Sequence, residues 1–253
     1  MAYAKAEVAT AMQYPCERCP LRGCEAFRPF SADELAFMSR FKCGELVAAP
    51  GTLIFEEGAD SAHLYTLLSG WAVRHKSLPD GRRQILNFAL SGDLIGLQAS
   101  LGQEMDHSVE ALTDVLLCVF ERDRFFELCD ECPSLAYDVI WLAAREHRLL
   151  DSNLLSVGRR TAIERVAYLI LLLYNRARAR GLTEEGSVVF PFNQQHMADA
   201  LGMSLVHTNK TLARLRAHGV VSWSRSAFRI RDEEGLARLA EWDTALQRPR
   251  PFL

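Results

Sequence analysis

The amino-acid sequence predicts an α+β protein: a roll of short β-strands, one long helix, then a helix-turn-helix followed by a β-hairpin wing. Three observations carry this. First, glycine recurs from residue 31 to about residue 130, at Gly44, Gly51, Gly58, Gly70, Gly81, Gly92, Gly96 and Gly102, with short runs such as TLIF, HLYTLL, QILNFAL and VLLCVF between. Short strands punctuated by turns every 8–12 residues or so are the signature of a β-sandwich or barrel. Second, from Pro133 to about Arg180 glycine and proline almost vanish and the apolar spacing becomes helical. Third, the stretch NQQHMADALGMSLVHTNKTLARLRAHGVV divides into two short helices around Gly202.

Composition bounds the rest. The chain has 253 residues, 49% of them hydrophobic, enough for two domains. Its net charge is −3 and its pI near 6.2, so no polyanion partner is advertised by the chain as a whole. The apolar run around Ile170–Tyr174 is far too short to span a bilayer. The opening MAYAKAEVATAMQY has no basic flank followed by an apolar core, which predicts no secretory signal and a cytoplasmic protein. Seven cysteines, an odd number, then point to thiols or metal ligands rather than a disulfide framework.

Four zones follow in order. Residues 1–30 form a polar arm in which YPCERCPLRGCEAF holds Cys16, Cys19 and Cys24. Residues 31–132 form the β-roll, where LPDGRRQ reads as a hairpin loop because Asp-Gly suits a tight turn. Residues 133–158 form the long helix, expected from about Ser134 to Val157 with Gly158 as its break. Leu135, Leu142 and Leu149 sit seven apart, with Val139, Leu150, Leu154 and Val157 near that stripe. Seven-residue spacing fits packing on the chain's own core and also a two-stranded seam; the homodimer seam is the favoured reading. Residues 159–253 hold a helix from about Thr161 to Arg180 and then the helix-turn-helix. There Met197, Ala198 and Leu201 face inward, Gly202 makes the turn, Ser204 caps the second helix and Gly219 ends it. VVSWSRSAFRI reads as the wing.

Charge gives the last zone a function. From Ser204 to Ile230 the charged residues are Lys210, Arg214, Arg216, Arg225 and Arg229, with no Asp or Glu in a chain that has 32 of them. A local basic patch on a helix-turn-helix suits contact with the phosphates of double-stranded DNA. Its second helix presents Ser204, Leu205, Val206, His207, Asn209 and Lys210 in the first turns, where base edges are reached, with Arg214 one turn on for phosphate. Gln194, Gln195 and His196 open the first helix, near the backbone. For Val206 and Thr208, packing against the first helix is the competing reading. No Gly-rich phosphate loop, Gly-x-Ser-x-Gly, His-Glu-x-x-His or compact carboxylate pair is present. An enzyme is therefore not expected; thiol chemistry at the C-x-x-C motifs is the one candidate, and it leaves the basic motif unexplained.

A glycine-punctuated β-roll, a long helix and a winged helix-turn-helix in this order resemble the Crp/Fnr superfamily of bacterial transcription regulators. LYTLLSGWAVRHKSLPDGRRQILNFALSGDLIG and MADALGMSLVHTNKTLARLRAHGVV carry the resemblance. It implies a cyclic-nucleotide-binding-type jelly roll, a dimerisation helix and a C-terminal DNA-binding domain. The partners it implies are a palindromic operator, a second copy and RNA polymerase, with no membrane, and activation as the usual outcome. Many relatives carry Glu and Arg where Val206 and Lys210 stand here. Val206 can touch a thymine methyl, Asn209 can pair with adenine and Lys210 with guanine, so a departure from the usual half-site is expected.

Relatives that bind cyclic AMP hold the phosphate with an Arg-Ser or Arg-Thr pair and the ribose with a Glu after Gly-Asp-x-x-Gly. Here GDLIGLQASLGQEMDHSVEAL has no arginine between Arg83 and Arg122; His107-Ser108 and Leu97-Gln98 fall near those positions. Cyclic-nucleotide binding is not expected, and His107 reads as an ordinary polar residue at a strand start. Within the superfamily, the oxygen-sensing fumarate-nitrate-reduction regulators hold a [4Fe-4S] cluster on three arm cysteines and one in the β-roll. Cys16-x2-Cys19-x4-Cys24, with Cys118 in the β-roll, matches that set in kind but not in its commonest spacing. Three readings stay open: an oxygen- or nitric-oxide-sensitive [4Fe-4S] cluster, no cofactor, and zinc or a thiol switch. Without a cluster, control falls to abundance or to an unidentified effector of the β-roll. With no acidic residue at Leu149 or Leu150, the dimer could be constitutive. Cys129-x2-Cys132 reads as a turn into the long helix, and Cys43 as core or loop.

Overall fold

A computed structural model describes residues 7–9, 13–98, 104–224, 227–242 and 250–253; Gly102 and Arg225, singled out above, lie outside them. The chain forms two compact units, one of Met1–Lys76, Phe88–His147 and Pro249–Leu253, the other of Ser77–Asn87 and Arg148–Arg248.

The β-roll, preceded by the arm, belongs to the first unit except for Ser77–Asn87, which fall in the second. Strand β1 (Glu7–Ala9), two short 3₁₀ turns (Cys16–Arg18 and Pro20–Gly23) and helix α1 (Ala32–Phe41) lead into it. The remaining strands are β2 (Lys42–Ala48), β3 (Leu53–Phe55), β4 (His63–Ser69), β5 (Trp71–Ser77), β6 (Arg83–Leu90), β7 (Leu94–Ile95), β8 (Ser108–Ala111) and β9 (Val115–Glu121). They form two sheets, ordered β1-β2-β9-β4-β7 and β3-β8-β5-β6. The LPDGRRQ loop closes as read, with Gly81 N–H donating to Leu78 O and Leu78 N–H to Arg82 O.

Side chains alternate across a strand, so the first sheet has two faces. Leu117 and Val119 of β9, with Tyr65 and Leu67 of β4, join Phe55, Ala72, Ala89, Val109 and Ala111 in one apolar core that draws on both sheets. Cys118 and Phe120, with Leu64 and Leu68, point the other way. That outer face is covered by Leu21 and Phe27 of the arm, by Phe37, Met38 and Phe41 of α1, and by helix α2 (Phe125–Glu131). Each such fully buried Leu or Phe contributes about 1.5–3 kcal/mol. Cys129 lies in α2 and Cys132 at its end, just before Pro133, so the second C-x-x-C is a helix terminus rather than an open turn.

Helix α1 was not singled out in the sequence, though its start is a capping box: Ser31 Oγ accepts from Glu34 N–H, and a Glu34 carboxylate oxygen accepts from Ser31 N–H. Glu34 also takes both Arg28 guanidinium nitrogens, at 2.7 and 2.9 Å, and the Ser134 hydroxyl at 2.7 Å. Arg28 reaches Asp138 as well.

Helix α3 runs Pro133–Arg159, through Gly158 rather than breaking there; the chain turns at Arg160 and Thr161 instead. The apolar stripe divides in a way spacing alone could not show. Leu135, Val139, Leu142 and Leu149 are buried within the chain and Leu150 is half-buried, whereas Leu154 is 74% exposed. The outward apolar face of α3 is Tyr137, Ile140, Leu154 and Leu155. Seven-residue spacing repeats on every face of a helix, and here the stripe that carried the dimer reading is largely the inner one.

In the second unit, Thr161 caps helix α4 (Ala162–Arg178), whose Val166–Tyr174 segment is wholly buried. Strands β10 (Thr183–Glu184) and β11 (Ser187–Val189), helices α5 (Gln194–Leu201) and α6 (Leu205–Ala217), the wing β12 (Val221–Ser224) and β13 (Ala227–Ile230), and helix α7 (Glu233–Ala240) complete it. Its sheet is ordered β10-β11-β13-β12. Among the described residues, no helix is long and apolar enough to cross a membrane.

The Arg28 guanidinium holds the Glu34 carboxyl at about 2, below its ordinary 4.5. A carboxyl depressed on folding stabilises fully above its unfolded value and loses that contribution as pH falls toward its folded value. Glu34→Gln is expected to cost on the order of 2 kcal/mol near neutral pH, with the gap to the native protein narrowing from about pH 4.5 down to about pH 2 in urea melts. A gap that stays constant over that range would contradict the pairing.

Candidate nucleic-acid interface and sensor sites

The helix-turn-helix is built from local signals. Asn193 caps α5, its Oδ1 accepting from His196 N–H while His196 Nδ1 accepts from Asn193 N–H. Gly202 follows at φ 63°, the left-handed conformation that favours glycine at this turn, with Val157 in close contact at 3.3 Å from where a side chain would begin. Ser204 Oγ then accepts from His207 N–H at 3.2 Å and opens α6.

Helix α6 is sharply two-sided. Thr208, Thr211, Leu212 and Leu215 are buried; the Thr208 hydroxyl donates to Ser204 O and that of Thr211 to His207 O, which satisfies them inside. Ser204, Leu205, Val206, His207, Asn209, Lys210, Arg214 and Arg216 are exposed. The two residues with a competing reading separate: Thr208 packs inward, and Val206 is 64% exposed. No acid lies in the first turn, which leaves the positive end of the helix dipole open to an anion.

On α5, Gln194 and Gln195 are exposed, and Gln195 donates to Asp199, whose other oxygen takes Arg83 at 2.7 Å. Asp199 is thereby neutralised beside the basic helix. Arg216 lies over Trp223 of the wing at 5.6 Å. Arg229 is held by Ser187 and Glu185 and so is less available than the sequence suggested.

In the β-roll, an arginine overlooked in the sequence fills the region where a cyclic phosphate would be sought. Arg74 of β5 is buried; its Nε donates to His107 Nε2 at 2.9 Å and an Nη reaches Gln98 Oε1 at 3.4 Å. Glu146 of α3 pairs with the same guanidinium. His107 is 2% exposed, and burial, reinforced by Arg74, pushes its imidazole down to about 3. It is a neutral acceptor for Arg74, not an ordinary polar residue at a strand start. Burial draws Arg74 itself down to about 10, still charged at neutral pH. Arg74 comes from a strand that precedes the Gly-Asp-x-x-Gly segment in the chain.

Six of the seven cysteines gather on the outer face of the first sheet, and Cys43 packs on its inner core. Cys16, Cys19 and Cys24 pack, half-buried, on the apolar cluster that contains buried Cys118. Cys43 is half-buried on β2 and donates to Val119 O. Burial raises the Cys16 and Cys19 thiols and pushes Cys118 up to about 12, and Lys42 opposes the rise at all three. The Lys42 ammonium is itself buried, donating to Glu45 at 2.6 Å and to Tyr14 O at 2.7 Å. Glu45 in turn accepts from the backbone N–H groups of Gln13 and Tyr14.

Among the described residues, no three His, Cys, Asp or Glu side chains form a set that could hold a metal ion. Lys42 favours the thiolate form at Cys16, Cys19 and Cys118, the form a metal or cluster would require, while burial opposes it.

Comparison with known proteins joins the two units. A profile of the cyclic nucleotide-binding domain matches residues 45–132, and one of the Crp-like helix-turn-helix domain matches residues 164–239. The nitrogen fixation regulation protein FixK of Bradyrhizobium diazoefficiens is 30% identical over 227 residues, which cover 89% of this chain and 93% of that protein. The chain belongs to the Crp/Fnr family of transcription regulators. Within the family, the transcriptional activatory protein AadR of Rhodopseudomonas palustris is 29% identical over 236 residues, 91% of this chain and 95% of that one. The structure of FixK2 from Bradyrhizobium japonicum superposes with a TM-score of 0.71 at 26% identity, covering 77% of this chain and 96% of that one.

For this family member, His107→Leu leaves a buried Arg74 donor without its acceptor and is expected to cost about 1–3 kcal/mol, whereas His107→Gln, which retains an acceptor, is expected to cost less. Chemical denaturation measures both; equal losses would show that the Arg74–His107 bond contributes nothing.

Proposed function

We propose that this Crp/Fnr regulator binds a two-fold symmetric DNA site as a homodimer and activates transcription through RNA polymerase. The observation that carries the DNA reading is α6: a helix capped by Ser204, buried on one side and bearing only neutral and basic side chains on the other. Activation is supported by the relatives named activators and by nothing in the chain's own geometry. For the dimer, the supporting feature is the exposed apolar face of α3, where Tyr137, Ile140 and Leu154 recur along one long helix.

The direct test is the salt dependence of duplex binding. Arg214→Ala is expected to weaken binding to any sequence and to lower the slope of log K against log salt by about 1. Asn209→Ala is expected to relax selectivity by about 1–3 kcal/mol at one base pair. Unchanged binding in both variants would remove α6 from the interface.

Two readings of the signal remain distinct. A [4Fe-4S] cluster on Cys16, Cys19, Cys24 and Cys118 is supported by the residue types and by the resemblance of their spacing. The reading without a cluster is supported by that spacing's departure from the commonest pattern and by Cys118, which packs as a buried apolar residue. It leaves control to abundance or to an effector of the β-roll. Iron and acid-labile sulfide, measured on protein purified without oxygen, decide between them. About four of each per chain, lost on exposure to air, is the cluster's result; none of either ends that reading.

A further inference from the structure

Residues Arg250–Leu253 follow the DNA-binding unit in the chain, yet they belong to the sensor unit. Their place there is built, not incidental. Arg250 N–H donates to Ala26 O and Arg28 N–H donates to Arg250 O, both at 2.9 Å, so the segment adds a parallel bridge to the arm at Phe27. The Arg250 side chain is 4% exposed. Its guanidinium donates to Asp93 Oδ1 at 2.7 Å and to Gly92 O, and lies over the Phe27 ring at 5.2 Å. Phe252 packs edge-on to Phe27 and against Phe30, and Phe252 and Leu253 are both buried in the cluster that holds Cys118.

The receiving surface is shaped for this. Asp93 is fixed by its own turn, accepting from Leu90 N–H. At Gly92, φ 80°, a side chain would overlap the Phe27 ring at 2.2 Å, so glycine is what lets Phe27 sit between the turn and Arg250. The pattern is peptide recognition by strand addition, with an arginine anchor and an aromatic pocket.

We propose that the sensor unit carries a peptide groove for an Arg-Pro-Phe-Leu sequence, filled in cis by residues 250–253, and that this occupancy holds the cysteine arm closed on the β-roll. The arm's freedom is then governed by a segment covalently continuous with the DNA-binding unit. This stands apart from the choice between cluster and thiols, since it concerns the backbone at 24–30.

Hydrogen exchange followed by mass spectrometry tests it on the full chain. Removing residues 250–253, or substituting Arg250→Ala, is expected to speed exchange across 24–30 by at least about tenfold, the factor equivalent to 1.4 kcal/mol. Exchange in β9 should not change. An acetylated Arg-Pro-Phe-Leu peptide, added to the truncated protein, should restore protection of 24–30, and an Ala-Pro-Phe-Leu peptide should not. Arg250→Gln, which keeps the stem and loses the charge, should give an intermediate rate if truncation proves too severe. Unchanged exchange at 24–30 in folded variants would overturn the proposal. So would an equal rise in β9, which would make the segment part of the general core rather than a closure of the arm.

Discussion

The Arg28 guanidinium is the constraint on which the first unit's outer layer depends. It forms a fork with Glu34 at the head of α1 and reaches Asp138 in the second turn of α3. Ser134 and the Ser31 backbone complete the Glu34 carboxylate. Both carboxylates are buried, and burial alone raises Asp138 while Arg28 holds it back. Buried carboxylates persist only when paired and hydrogen-bonded. The same residue's backbone bonds to residue 250. One arm position thus fixes the start of two helices and the path of the arm. Lys42 and Glu45 repeat the device a few residues on, pinning Gln13 and Tyr14.

The second unit is organised on another principle. Its helices are set by caps and glycine turns at Thr161, Asn193, Gly202 and Ser204, with a wholly buried segment in α4 as the core. Polar residues of α6 that face inward are satisfied by their own helix, and on the outward face Arg216 lies over Trp223 of the wing. That leaves Val206, Asn209 and Lys210 free to be read as recognition residues. The acids nearest in sequence are either paired, as Asp199 is with Arg83, or beyond the wing. A nearly neutral chain acquires a local basic surface in this way.

Where structure follows from nearest neighbours, the sequence was legible. Ser204, Gly202 and Gly219 marked α6, and Asp80-Gly81 marked the hairpin. Helix α1 was equally marked, by Ser31 and Glu34 three apart ahead of Phe37, Met38 and Phe41, but the surrounding strand pattern masked it. The family resemblance was legible over both units because its motifs are long and ordered. Contacts between distant strands were not. Nothing near Arg74 announces His107, 33 residues on, or Glu146 in α3. Lys42 stands next to Cys43 in sequence, yet it acts on Cys16, Cys19 and Cys118, a juxtaposition that only the folded sheet and arm create. The leucine stripe of α3 shows the limit of periodicity, which gives a face without saying what covers it.

Helix α6 is proposed to read DNA as one half of a symmetric pair. Selection from a pool of random-sequence duplexes on the full-length protein tests it most directly. Enrichment of an inverted repeat, with half-sites about one helical turn apart and tolerant of exchange only where Val206, Asn209 and Lys210 do not reach, is the predicted result. No enrichment, or a single asymmetric site bound equally well by protein lacking the α6 side chains, would contradict it.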